Sequence, residues 1–290
     1  MPAPDSPAPW PEPHHVPSSE GVQVATYDLG GEGPDLLLVH ATGFCGGVWA
    51  PLAAHLPELR RAALDVRGHG RSDPPPGSAD WELAAHDVLA TIDALGLERP
   101  FGAGHSMGGA LLAIAELQRP GTFSGLWLYE PIIMPKEVVE GGRDGSNPLA
   151  EGARRRRERF DSADQALENF GSKPPLDALH PDALAAYVEH GFEPLPDGSV
   201  ALRCAPDREA ANYEVGGLHR TFEHLGELRC PVTVLHGRAD APGPASFAPL
   251  IARAVPDGRL EAHPLLGHFG PLEDPAGMAA SIRLAVTGGS

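Results

Sequence analysis

Leu36-Leu37-Leu38-Val39 is four apolar residues in a row, with no polar position that could face water. Such a run suits a strand covered on both faces, the hallmark of a parallel sheet packed between helices. The segments around it alternate in kind. Gln23 to Leu29, Ala62 to Leu64, Phe101 to Gly104, Leu126 to Tyr129, Val232 to Leu235 and Leu260 to His263 read as further strands. Between them, Val48 to Leu56, Trp81 to Leu95, Met107 to Gln118 and Ala276 to Val286 read as helices. Leu83, Ala84, Val88, Ile92 and Leu95 recur at near-helical spacing, and Pro120 stops the helix before it. Strands alternating with helices predict an α/β domain with a mostly parallel central sheet flanked by helices.

The stretch 131–230 departs from that rhythm. It contains no buried-type strand, helix-like patches at Ala163 to Phe170 and Pro181 to His190, and the run Arg154-Arg155-Arg156-Arg157. The expected organisation is a core of residues 20–130 and 231–290 with an inserted helical subdomain at 131–230. The arginine run is read as the solvated face of a helix in it. The first 17 residues hold seven prolines and no basic residue before His14, which predicts a disordered arm over residues 1–19.

Composition excludes several functions. Lys plus Arg is 22 against 39 Asp plus Glu, a formal charge of −17, which opposes binding to nucleic acid or an anionic membrane. No run reaches the roughly 18–20 apolar residues of a membrane span, and the start lacks the pattern of a signal peptide, so a cytoplasmic location is expected. Cys45, Cys204 and Cys230 are few, distant and odd in number, which does not describe a disulfide framework. His219 and His224 lack the spacing of four that would put two metal ligands on one helix face, so neither a metal nor a cofactor is expected. The expected partner is a small-molecule substrate, and homo-oligomerisation is left open.

Gly104-His105-Ser106-Met107-Gly108 is a G-x-S-x-G sequence between a strand and a helix. That setting makes Ser106 a candidate nucleophile on a sharp turn, with the following helix aiming its N–H groups at the reaction centre. A serine hydroxyl needs a base, and the base an orienting acid. His268, in a loop between a late strand and the last helix, is the candidate base. Asp240, beyond the strand end at His236-Gly237, is the preferred acid. Glu130, at the end of the preceding strand, is the alternative, either as the acid or as a substrate-binding residue. The loop His40-Ala41-Thr42-Gly43-Phe44 follows the apolar strand and can supply one oxyanion donor, with the N–H of Met107 as the second.

Together these segments resemble the α/β-hydrolase superfamily, in its branch of serine hydrolases with a cap domain, from about Gly21 to Val286. His40 to Gly43 with Trp49 is similar to the family's oxyanion segment, which implies Thr42 as the first donor. Asp65-Val66-Arg67-Gly68-His69-Gly70-Arg71-Ser72 resembles its signature loop after the fourth strand. Ala41 departs from the usual glycine, and the acid loop Asp240-Ala241-Pro242-Gly243-Pro244 is unusually rich in proline and glycine. A serine at 106 sets the chain apart from the branches that use an aspartate nucleophile. The resemblance implies cleavage of an ester, thioester or lactone of a medium-sized apolar substrate through an acyl-enzyme, with Phe44, Trp49 and Glu130 contacting the substrate. C–C bond hydrolysis, peracid formation, a non-hydrolytic biosynthetic reaction such as cyclisation, and a ligand-binding role stay open on the same fold.

Overall fold

A computed structural model describes residues 10–141, 147–240 and 243–288. Its strands are β1 (His14–Pro17), β2 (Gln23–Gly30), β3 (Asp35–Val39), β4 (Arg60–Leu64), β5 (Phe101–His105), β6 (Gly125–Tyr129), β7 (Arg159–Phe160), β8 (Phe192–Pro194), β9 (Val200–Leu202), β10 (Val232–His236) and β11 (Gly258–Ala262). Eight of them form one sheet in the order β1-β2-β4-β3-β5-β6-β10-β11. From β4 to β11 every pairing is parallel, while β1 and β2 join antiparallel.

Residue alternation divides the core between the two faces of this sheet. Leu37, Val39, Leu64, Leu126, Leu128, Val232 and Val234 pack with the helices Trp81–Leu95 and Met107–Gln118 on one face. Leu36, Leu38, Ala63, Trp127 and Leu235 pack on the other with Leu52, Leu56 and the helix Pro275–Val286. The helix Trp81–Leu95 starts where Asp80 accepts from the N–H groups of Glu82 and Leu83, and ends on Gly96 at φ 59°. The helix predicted over Val48 to Leu56 is shorter: a 3-10 turn at Gly46–Trp49 runs into Ala50–Ala53.

Two expectations are corrected. The arm does not stay unstructured to residue 19. His14–Pro17 forms an edge strand on Gln23–Thr26, and Trp10 packs on Tyr27 with ring centroids 5.2 Å apart. An edge strand needs hydrogen bonds on one side only, so its one proline, Pro17, is tolerated. Residues 1–9 lie outside the described residues.

The insert between β6 and β10 is not purely helical. Beside the helices Pro148–Arg154, Ala163–Gly171, Pro181–Gly191 and Pro206–Val215 it holds a three-stranded antiparallel sheet, β7-β9-β8. Strands of two or three residues are too short to display an alternating pattern. Residues at its ends, Ile133 on one side and Leu225, Leu228 and Cys230 on the other, pack in the core. Tyr187, Phe160 and Phe192 continue the second core cluster, so the insert shares the domain's core. Arg154 and Arg155 are exposed as expected, but Arg156 is turned inward.

Candidate active site

Ser106 stands between β5 and the helix Met107–Gln118 with φ 54° and ψ −114°, a conformation that costs a non-glycine residue about 1–3 kcal/mol. Its flanking glycines are required by contact. A Cβ on Gly104 would lie 2.7 Å from the backbone of Gly108, and one on Gly108 would collide with the carbonyl oxygen of Val39. The turn is held by the Ser106 N–H, which donates to the Tyr129 carbonyl at 2.9 Å. Met107 opens the helix, so its N–H is among those without an intrahelical acceptor.

The structure brings Thr42 to Met107: the Thr42 hydroxyl donates to the Met107 thioether sulfur at 3.4 Å. Behind this loop, His40 Nδ1–H donates to the Ala41 carbonyl at 2.8 Å while its Nε2 accepts the Val66 N–H at 3.0 Å. That pattern fixes a neutral tautomer, and burial pulls the His40 pKa down to about 4. Asp65 braces the same region. It accepts from the Gly46 N–H at 2.6 Å, the Arg71 N–H at 2.8 Å and the Tyr27 hydroxyl at 2.7 Å, and burial raises its pKa. Arg67 grips Asp87 through Nε at 2.9 Å and Nη2 at 2.6 Å, tying the signature loop to the helix Trp81–Leu95.

His268 lies in the loop after β11. Its Nδ1–H donates to Glu130 Oε2 at 2.6 Å, and Glu130 Oε1 accepts the Gly237 N–H at 2.8 Å. Glu130 is buried, with φ 42°, directly after β6. A carboxylate on Nδ1 leaves Nε2 as the acceptor nitrogen of a neutral imidazole. Asp240 is exposed. The preference for Asp240 as the partner of His268 is therefore corrected to Glu130, and with it the reading of Glu130 as a substrate contact. Residues 241–242 of the expected acid loop lie outside the described residues.

Two residues that sequence reasoning did not single out hold the histidine loop. His105 Nε2–H donates to the His268 carbonyl at 2.7 Å, and the Tyr129 hydroxyl donates to the Gly267 carbonyl at 2.8 Å. His105 and Tyr129 are register partners on β5 and β6, so neighbouring strands clamp successive carbonyls. Burial, with His268 alongside, pushes the His105 pKa well below the ordinary imidazole value, so its ring stays a neutral donor. Only the residue before the nucleophile, inside the Gly-His-Ser sequence, hinted at this.

Phe44 packs between Tyr187 of the insert, at 5.1 Å, and Phe269, at 5.5 Å between ring centroids. Trp49, expected to touch substrate, is 1% exposed and belongs to the core. Its indole N–H has no hydrogen-bond partner among the described residues.

Residues 36–281 match the sequence model of the alpha/beta hydrolase family. The chain belongs to this family. It is similar to the AB hydrolase superfamily protein YisY of Bacillus subtilis, 26% identical over 88% of this chain and 92% of that one. A shorter stretch, 37% of this chain and 40% of the relative, is 36% identical to the lipase LipV of Mycobacterium tuberculosis. Among solved structures, a thermophilic esterase from Thermogutta terrifontis shares the fold with a TM-score of 0.69 at 24% identity, covering 96% of this chain and 99% of that one. The alpha/beta hydrolase fold, with its mostly parallel sheet, agrees with the architecture expected from sequence. Among the described residues no helix is long and apolar enough to cross a membrane.

Proposed function

We propose that this alpha/beta hydrolase is a serine hydrolase that cleaves an ester, thioester or lactone of a medium-sized, largely apolar substrate through an acyl-enzyme. The observation that carries the reading is the 2.6 Å bond from His268 Nδ1 to Glu130, in a loop clamped to the residue next to Ser106. Ser106 Oγ attacks the acyl carbon, and its proton passes to His268 Nε2 as the new C–O bond forms. Glu130 holds the imidazole orientation and stabilises the imidazolium. The N–H groups of Thr42 and Met107 receive the oxyanion; each such donor is worth about 2.7–4 kcal/mol in the transition state. The intermediate collapses as the leaving group takes the proton from His268. Water then attacks the acyl carbon as it gives a proton to His268; the bond to Ser106 Oγ breaks, the acid leaves, and His268 returns the proton to Ser106.

The aromatic wall of Phe44, Tyr187 and Phe269 supports an apolar acyl group. The similarity to a lipase and an esterase supports a carboxylic ester as the first substrate class to assay. A net charge of −17 favours a small-molecule partner over nucleic acid. A fluorophosphonate probe should label the wild type and not Ser106→Ala. Equal labelling of both folded proteins would remove Ser106 as the nucleophile. p-Nitrophenyl esters of increasing chain length, assayed beside lactones, define the acyl range.

A further inference from the structure

The loop that carries Thr42 turns at Gly43, with φ 80°. The space a side chain would fill there is taken by the insert. A Cβ on Gly43 would lie 2.7 Å from Glu209 Oε1 and 3.4 Å from Arg156 Nη1. Glu209 is 5% exposed, in the first turn of the helix Pro206–Val215. Its Oε2 is paired with Arg156 Nη1, and its Oε1 accepts from the Tyr213 hydroxyl at 3.4 Å. Arg156 Nη2 donates to the Tyr187 hydroxyl at 2.5 Å, and the guanidinium lies over the Phe170 ring at 5.5 Å. Tyr187 packs on Phe44, and Phe44 on Phe269, the neighbour of His268. The ion pair is therefore linked on one side to the oxyanion loop and on the other, through aromatic contacts, to the histidine loop.

The Arg156 side chain is only 20% exposed, and a guanidinium so enclosed favours a carboxylate partner, which its planar fork suits. The chain supplies that carboxylate itself. A second negative charge brought beside Glu209 in this desolvated region would be repelled.

We propose, on the reading of Ser106 as the nucleophile, that Glu209 is a specificity-determining residue. It occupies on Arg156 the place of a carboxylate and so confines the enzyme to esters whose acyl part is uncharged. Arg156 is thereby a latent carboxylate-binding site, open to dicarboxylic monoesters once Glu209 is removed.

The test pairs methyl p-nitrophenyl glutarate with mono-p-nitrophenyl glutarate, acyl donors that differ in one charge. The wild type should favour the neutral ester. Glu209→Ala and Glu209→Gln should move the kcat/KM ratio toward the acid by about 10- to 100-fold, the range of one charge-assisted hydrogen bond. An unchanged ratio in both variants overturns the proposal. Formate, titrated against chloride at equal ionic strength, should raise the unfolding temperature of Glu209→Ala and leave the wild type where chloride does; equal effects on the two proteins overturn it as well. If Glu209→Ala does not fold, the ratio in Glu209→Gln decides. If no form turns over either ester, the serine mechanism has failed while the formate titration still decides whether Arg156 is a carboxylate site.

Discussion

Glu130 and His268 are 138 positions apart and meet through a 2.6 Å hydrogen bond at the ends of different strands. Glu130 is pinned by a second bond from the Gly237 N–H, so its carboxylate has little freedom to leave the imidazole. Glu130→Gln should lower kcat by about 10³- to 10⁴-fold, because an amide no longer enforces the tautomer or stabilises the imidazolium. Asp240→Asn should leave kcat within about twofold, because Asp240 is exposed and the imidazole Nδ1 is already paired with Glu130. The check is ester hydrolysis by both variants, with circular dichroism to verify folding. A large loss in Asp240→Asn and none in Glu130→Gln would reverse the assignment.

The clamp from His105 to the His268 carbonyl acts on position rather than on chemistry. His105→Leu should reduce kcat by about 100-fold, the cost of a displacement near 1 Å, with KM little changed. His105→Gln, whose amide can reach the same carbonyl, should recover part of the loss. Steady-state kinetics on the two variants separates this role from simple destabilisation, which would move both equally.

Buried neutral histidines make the fold acid-sensitive. Burial lowers the pKa of His40 and His219 to about 4 and of His69 to about 3, and that of His105 well below its ordinary 6.5. Below pH 6.5 the unfolded chain takes up protons at these sites and the native chain does not. Stability therefore falls as pH drops from 6.5 toward 4 and is fully present above 6.5. His40 alone contributes about 3 kcal/mol across that window. Asp65, with its raised pKa, works in the opposite sense, but as one group against four. Urea unfolding between pH 4 and 8 measures this; a flat profile between 4 and 6.5 would contradict it.

The Arg67–Asp87 pair is nearly enclosed, with 4% and 0% side-chain exposure. Asp87 also accepts from the Ser18 hydroxyl at 2.6 Å, so the same carboxylate secures the chain leading into β2. Asp87→Ala should cost about 3–5 kcal/mol, because it leaves a buried guanidinium without its partner. Equilibrium denaturation reads the loss directly, and a loss below about 1 kcal/mol would mean that solvent reaches Arg67.

Elements whose signal is local are legible in the residues themselves. The helices Trp81–Leu95 and Met107–Gln118 follow from apolar spacing and their stops, and β3, β6 and β10 from short apolar runs. The 3-10 turn at Gly46–Trp49 and the small sheet of the insert are not, because two- to four-residue elements carry no period. The inward turn of Arg156 is equally hidden. Four consecutive arginines read as one charged face, yet Glu209, 53 positions later, draws one of them inward to a half-buried ion pair.

The strand–helix alternation, the elbow at Ser106 with its two glycines, and the late loop that carries His268 are all written in the amino-acid order. Each rests on neighbours within a few residues. The carboxylate that serves His268 is a matter of three-dimensional packing. Asp240 and Glu130 both follow strands, β10 and β6, that lie side by side in the sheet, so chain order and loop context could not separate them. The choice rests on side-chain direction. Glu130, turned by its positive φ, is fixed between Gly237 and His268, while Asp240 faces solvent.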